Sequence, residues 1–164
     1  YLTTQAKDDP VEYIHHEIGY NYRLSNIQAA MGVAQMEQLP GFIARKRAIA
    51  RAYQEAFKSW KEITPMPAQP HAEPTYWLYT ILLREETTLD ERKAVVRDLN
   101  QRGVGVRPLW HPIHSLPPYA KCQVSLMEHA DRLYARGVSL PSSSGLQAHD
   151  LDRCIATIGA RVLQ

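Results

Sequence analysis

The chain has 164 residues, 45% apolar and 22% charged, with a formal net charge of +2 from 19 basic and 17 acidic side chains. These values suit one ordinary globular domain with its own core and exclude a disordered or fibrous chain. The balanced charge leaves no footprint for nucleic acid, and the longest apolar run, Trp77 to Leu83, is too short to span a membrane.

In chain order, Tyr1 to Thr4 read as the interior of a longer protein. Residues 1–24 show little periodicity, and Gly19-Tyr20-Asn21-Tyr22-Arg23 reads as an ordered loop. Ser25 and Gln28 form a capping box, and Ile27, Ala30, Met31 and Ala34 recur at helical spacing, predicting a helix from about 26 to 38. Pro40 and Gly41 are expected to interrupt it. A second helix follows from about 41 to 58, with Phe42, Ile49, Tyr53, Ala56 and Trp60 as its apolar stripe. Arg45, Lys46, Arg47 and Arg51 face elsewhere, and a solvated helix face is the favoured reading over a binding patch.

Residues 61–75, with Pro65, Pro67, Pro70 and Pro74, read as an extended connector. Strands are expected at Tyr76 to Leu83, Val104 to Pro108 and Val138 to Leu140. Between the first two lies a helix from about 90 to 101, capped by Asp90, stopped by Gly103 and facing the core with Ala94, Val95, Val96 and Leu99. The prolines of 111–118 predict a rigid loop. Helices from about 127 to 136 and 148 to 163 complete the chain, the last burying Leu151, Ile155, Ile158 and Val162. The region from about 75 onward reads as a compact α/β domain around a small sheet. The helices before it need further surface to cover, from a missing N-terminal domain or a partner subunit.

No nucleophile elbow, P-loop or zinc-helix motif is present. Cys122 and Cys154 lack metal-ligand spacing and are too few for a disulfide framework, so a reducing, cytoplasmic setting is expected. His111 and His114 would need a further ligand to hold a metal, so none is expected.

Two segments carry chemistry. Asn21 and Arg23 alternate with Tyr20 and Tyr22, so an amide and a guanidinium can face one target, beside the N-terminus of the helix that Ser25 opens. That pair suits a phosphate or carboxylate. Equally, Arg23 can pair with a surface carboxylate while Asn21 shapes the turn. The second segment, Arg107-Pro108-Leu109-Trp110-His111-Pro112-Ile113-His114, leaves a strand with a guanidinium, an indole and two imidazoles on a stiff backbone. It suits a sugar nucleotide, or serves as a packing loop anchored by Trp110.

The run Gly19-Tyr20-Asn21-Tyr22-Arg23-Leu24-Ser25-Asn26-Ile27-Gln28-Ala29-Ala30 closely resembles the signature of the DegT/DnrJ/EryC1/StrS family of pyridoxal-phosphate-dependent sugar aminotransferases. An arginine-rich helix like Ile43 to Phe57, a strand like Trp77 to Leu83, the Gly103 to His114 segment and Val138-Ser139-Leu140-Pro141 follow in the family's order. The resemblance implies the C-terminal portion of a type I (aspartate aminotransferase-like) fold. Residues 1–60 correspond to the end of the large cofactor domain and long interdomain helices, 61–75 to a proline-rich linker, and 76–164 to a small C-terminal α/β domain with a short sheet flanked by helices.

The activity implied is transfer of an amino group from glutamate to C4 of a nucleotide-linked 4-keto-6-deoxy sugar, in a homodimer using pyridoxal 5'-phosphate. The Arg-Pro-Leu-Trp loop resembles the branch that makes 4-amino-4,6-dideoxy sugars of the bacillosamine, legionaminic acid or perosamine kind. By resemblance, Asn21 and Arg23 lie at the cofactor phosphate of the neighbouring subunit, and Arg107, Trp110 and His114 border the substrate. None of the six lysines matches the family's Schiff-base lysine, which is expected upstream of Tyr1, so no catalytic residue is assigned and the chain is expected to be inactive alone. A dehydratase relative and a non-catalytic truncated dimerisation or packing fragment are the alternative readings.

Overall fold

The computed structural model describes residue 6 and residues 15–163. The reading of Tyr1 to Thr4 lies outside the described residues. Among the described residues, four α-helices and four β-strands follow in the order α1 (Asn26–Phe57), β1 (Ile63–Pro65), β2 (Tyr79–Leu83), α2 (Leu89–Gln101), β3 (Arg107–Pro108), α3 (Glu128–Arg136), β4 (Gly137–Leu140) and α4 (Ala148–Val162). The chain divides into two compact units, residues 1–40 and 41–164.

In the first unit, the capping box forms as the sequence predicts. Ser25 N donates to Gln28 Oε1 at 2.9 Å and Gln28 N to Ser25 Oγ at 3.3 Å. The apolar residues that follow, Ile27, Met31, Val33 and Met36, are exposed within this unit. The expected break at Pro40 does not occur, because α1 continues through it. Proline lacks one N–H and crowds the carbonyl four residues back, at a cost of about 3 kcal/mol. Met36, which supplies that carbonyl, is exposed, so water can satisfy it.

In the second unit the sheet order is β1-β2-β4-β3, antiparallel throughout. The first residues of the expected connector are therefore paired as a strand. Pro65 is tolerated there because β1 is an edge. Ile49, Tyr53 and Phe57 of α1 pack with Tyr79 and Ile81 of β2, Val95 and Leu99 of α2, and Leu151 and Ile158 of α4. Tyr53 stacks on both Phe57 and Tyr79, with ring centroids 5.4 and 5.1 Å apart.

Helix α2 is capped two residues earlier than Asp90 suggested. Thr88 is the N-cap, and Thr88 and Glu91 exchange hydrogen bonds as a full capping box. On the core face Val95 and Leu99 are buried as predicted, but Arg92 is buried too and Ala94 is exposed. Gly103, at φ 78°, closes the helix in the left-handed region that suits glycine.

The bonds from the Thr88 backbone and side chain hold the Glu91 carboxyl below the usual glutamate range. A depressed carboxylate contributes stability above its unfolded pKa, and that contribution is lost as pH falls through the folded one. Thr88→Ala removes the side-chain N-cap of α2 and is expected to cost about 1 kcal/mol. The difference from wild type should shrink in chemical denaturation below the ordinary glutamate range.

Candidate functional site

Within the first unit, the alternation read from the sequence is present. Tyr20 and Tyr22 stack on one another, with centroids 5.6 Å apart and planes 23° apart. Asn21 and Arg23 come together as the other pair, Asn21 Oδ1 accepting from both the backbone N and the Nε of Arg23 at 3.3 Å. An amide and a guanidinium so joined, two residues before the Ser25 cap of α1, form a donor set suited to a phosphate.

Within the second unit, the loop after β3 is built by local devices. The Asn100 side chain acts as a substitute strand. Its Oδ1 accepts from Val106 N and its Nδ2 donates to Val106 O, both at 3.1 Å. This holds the backbone extended into β3, where Arg107 pairs with Ser139. Leu109 then packs onto Gly137, where an added Cβ would press on Leu109 and lie 2.8 Å from the main-chain Leu133 O, which cannot move aside. The His111 ring meets Tyr134 at 5.0 Å, and its Nδ1 lies 3.1 Å from Ser115 Oγ. His114 Nε2 sits 3.1 Å from Asp131 Oδ1 on α3.

Of the three loop residues named from the sequence, Arg107 and Trp110 are therefore exposed, while His114 is engaged by α3. Trp110, 69% exposed, stacks on Trp77, 67% exposed, at 5.8 Å and 19°. Trp77 and Arg107 line a cleft of about 280 Å³ together with Lys46, Gly105 and Ser142.

Lys46 corrects the expectation of a solvated basic face. Its Nζ donates to Trp77 O at 2.7 Å and to Ser142 O at 2.8 Å. Partial burial lowers its pKa. Arg45 donates to Leu146 O, and Arg47 to Pro74 O at 3.2 Å. Three of the four basic residues thus satisfy distant main-chain carbonyls, and Arg51 alone of the four is exposed to the degree expected. Sequence reasoning missed Trp77, Lys46 and Asn100 as site-building residues. Asn100, just before Gly103-Val104-Gly105, had a local signal as an amide at a helix end, and Lys46 had one in the basic cluster, whose alternative reading is a binding patch.

A second cleft, of about 340 Å³, includes Glu62, Arg84, Glu91 and Arg161. Most of its charges are already matched: Arg84 with Glu62 at 3.3 Å, Arg161 with Asp98 at 3.3 Å, and Glu91 in the α2 cap, which leaves the exposed Glu86. It offers no set of converging groups for a ligand. No group of three or more His, Cys, Asp or Glu that could hold a metal occurs among the described residues. No helix among them is long and apolar enough to cross a membrane.

Comparison with known proteins places this architecture. The chain is 35% identical to the GDP-perosamine synthase of Caulobacter vibrioides over 164 residues, 96% of this chain and 42% of that protein. It is 37% identical to the GDP-perosamine synthase of Escherichia coli O157:H7 over 142 residues, 82% of this chain and 35% of that protein. Among solved structures, Helicobacter pylori PseC, an aminotransferase involved in the biosynthesis of pseudoaminic acid, superposes with a TM-score of 0.86 at 22% identity, over 99% of this chain and 44% of that one. The fold is thus the C-terminal portion of the sugar aminotransferase fold, and the chain spans less than half the length of these relatives. Residues 2–159 match the DegT/DnrJ/EryC1/StrS aminotransferase family, and the chain belongs to that family.

Proposed function

We propose that this chain is the C-terminal part of a homodimeric aminotransferase that moves the amino group of glutamate to C4 of a nucleoside-diphosphate-linked 4-keto-6-deoxy sugar. The observation that carries this reading is the 35% identity to a GDP-perosamine synthase across 96% of the chain. The family depends on pyridoxal phosphate, which supplies an electron sink when bound. Asn21 and Arg23 fit the cofactor's phosphate, since their donors are joined and lie beside a helix start. They would hold it from the neighbouring subunit. Arg107 and Trp110 face the sugar nucleotide, while His114 holds their loop through Asp131.

The lysine that binds the cofactor covalently has no match among the lysines here, so the isolated chain is inactive in this reading. The test supplies the complete enzyme with pyridoxal phosphate, glutamate and a nucleotide-linked 4-keto-6-deoxy sugar. The expected products are 2-oxoglutarate and the 4-amino sugar, identified by mass spectrometry. Sugar dehydration without 2-oxoglutarate would instead favour a dehydratase. A lysine adduct on the isolated chain after borohydride reduction with the cofactor would overturn its assignment as inert.

A further inference from the structure

The loop after β3 is tied at three points. Leu109 packs on Gly137, the His111 ring meets Tyr134 of α3 at 5.0 Å, and His114 Nε2 lies 3.1 Å from Asp131 Oδ1. The residues between the ties turn outward: Trp110 is 69% exposed and Ile113 68%. The direction of Trp110 is therefore set by its two neighbours, Leu109 and His111. The second of these depends on how Tyr134 is held.

Tyr134 is held by a residue that does not suit its place. Arg92 lies on the core face of α2 with Val95 and Leu99, at the spacing of an apolar stripe, and is 3% exposed. Its guanidinium carbon lies 4.9 Å from the centroid of the Tyr134 ring. Its Nε and Nη2 are buried with no hydrogen-bond partner among the described residues. Arg136, also buried, pairs with Glu85 instead. A buried guanidinium left without acceptors costs stability, so Arg92 does not hold the second unit together. What its charge gains is the π face of one ring, a contact that strengthens away from water. That contact fixes the plane of Tyr134, against which His111 lies.

We propose that Arg92 and Tyr134 are positioning residues for the loop that carries Arg107 and Trp110, through a relay that runs Arg92–Tyr134–His111 from α2 through α3 to the loop. Arg92 is buried and acts only through the ring. The assignment of the sugar nucleotide to this loop rests on the function proposed above; the relay adds what orders the loop.

The test uses the complete enzyme and two independent readouts. In hydrogen exchange followed by mass spectrometry, without substrate, Arg92→Leu should speed exchange of the amides between Leu109 and Leu116. The expected factor is about five- to thirtyfold, the scale of one cation–π contact. In steady-state kinetics the same variant should raise the KM for the sugar nucleotide by a similar factor and leave that for glutamate unchanged. Leucine replaces an unpaired buried charge, so the melting temperature should hold or rise. Tyr134→Phe keeps the ring and should behave as wild type, whereas Tyr134→Leu should match Arg92→Leu. His111 is exposed, so His111→Ala leaves the core intact. It should raise the same KM, and adding Arg92→Leu to it should raise that KM little further. Unchanged loop exchange or a lower melting temperature in Arg92→Leu, equal rises in both KM values, or additive effects of His111→Ala and Arg92→Leu would overturn the relay. Absence of amino transfer in the wild-type enzyme, with loop exchange responding as expected, would overturn the enzymatic reading and leave the relay standing.

Discussion

Replacing Tyr53 by alanine is expected to destabilise the second unit by about 3–5 kcal/mol, the range for deleting a fully buried aromatic side chain. Tyr53 is wholly buried and stacks between Phe57 and Tyr79, so its loss leaves a cavity lined by rings that cannot collapse into it. It also donates from its hydroxyl to Pro141 O at 2.9 Å, joining α1 to the segment after β4. Tyr53→Phe removes only that bond and should cost about 1 kcal/mol. Tyr79 is a built-in contrast. Its hydroxyl is buried with no hydrogen-bond partner, so Tyr79→Phe should be neutral or stabilising. Urea denaturation of the three variants checks the order; a Tyr79→Phe loss larger than that of Tyr53→Phe would contradict it.

The same residues set an alkaline limit. Burial, followed by the neighbouring Cys154, pushes the Tyr53 phenol far above its ordinary value. Burial, followed by Tyr76, does the same to Tyr79. A raised phenol pKa contributes stability that is complete below the unfolded value, near ~10, and is lost as pH rises beyond it. Stability should therefore fall steeply from about pH 10 upward, and Tyr53→Phe should flatten that slope.

Replacing Arg23 by alanine in the complete enzyme is expected to weaken retention of pyridoxal phosphate by roughly 10- to 150-fold. That follows from the loss of a charged hydrogen bond of about 1.5–3 kcal/mol. Arg23→Lys keeps the charge but not the planar fork, so it should recover only part of the affinity. Asn21→Ala should give a smaller loss, because Asn21 Oδ1 orients the guanidinium by accepting from its Nε. Equilibrium dialysis measures these affinities, and an unchanged value for Arg23→Ala would refute the phosphate contact. The cross-subunit part has its own test. Subunits with Arg23→Ala, mixed with subunits lacking the cofactor lysine, should regain activity in mixed dimers, since one site then combines an intact lysine with an intact Arg23. No recovery would place Arg23 at the cofactor of its own subunit.

The signature around Asn21 and Arg23 was legible because it is local: alternation puts like with like, and the Ser25–Gln28 box needs only four consecutive residues. The same holds for Gly103 as the stop of α2, where its left-handed backbone decides. Local reading went wrong where two local signals competed. Asp90 looked like a cap, but Thr88 and Glu91 satisfy two backbone groups at once and prevail. Pro40 looked like a break, but one lost hydrogen bond facing water does not outweigh the rest of a 32-residue helix.

By itself, the sequence determined the helices of the second unit and where they end, the existence of β2, β3 and β4, the family, and the local pairing of Asn21 with Arg23, but not the strand at Ile63–Pro65 nor the continuity of α1. Only the tertiary structure decided what the polar side chains of α1 do. Lys46 reaches a carbonyl 96 residues away and Arg45 one 101 residues away, and no periodicity encodes such a partner. It also decided that Trp77 and Trp110, far apart in sequence, share one stack beside Arg107. The reason is that backbone preference and apolar spacing act over a few residues, whereas these contacts exist only once the sheet has brought β2, β3 and β4 side by side.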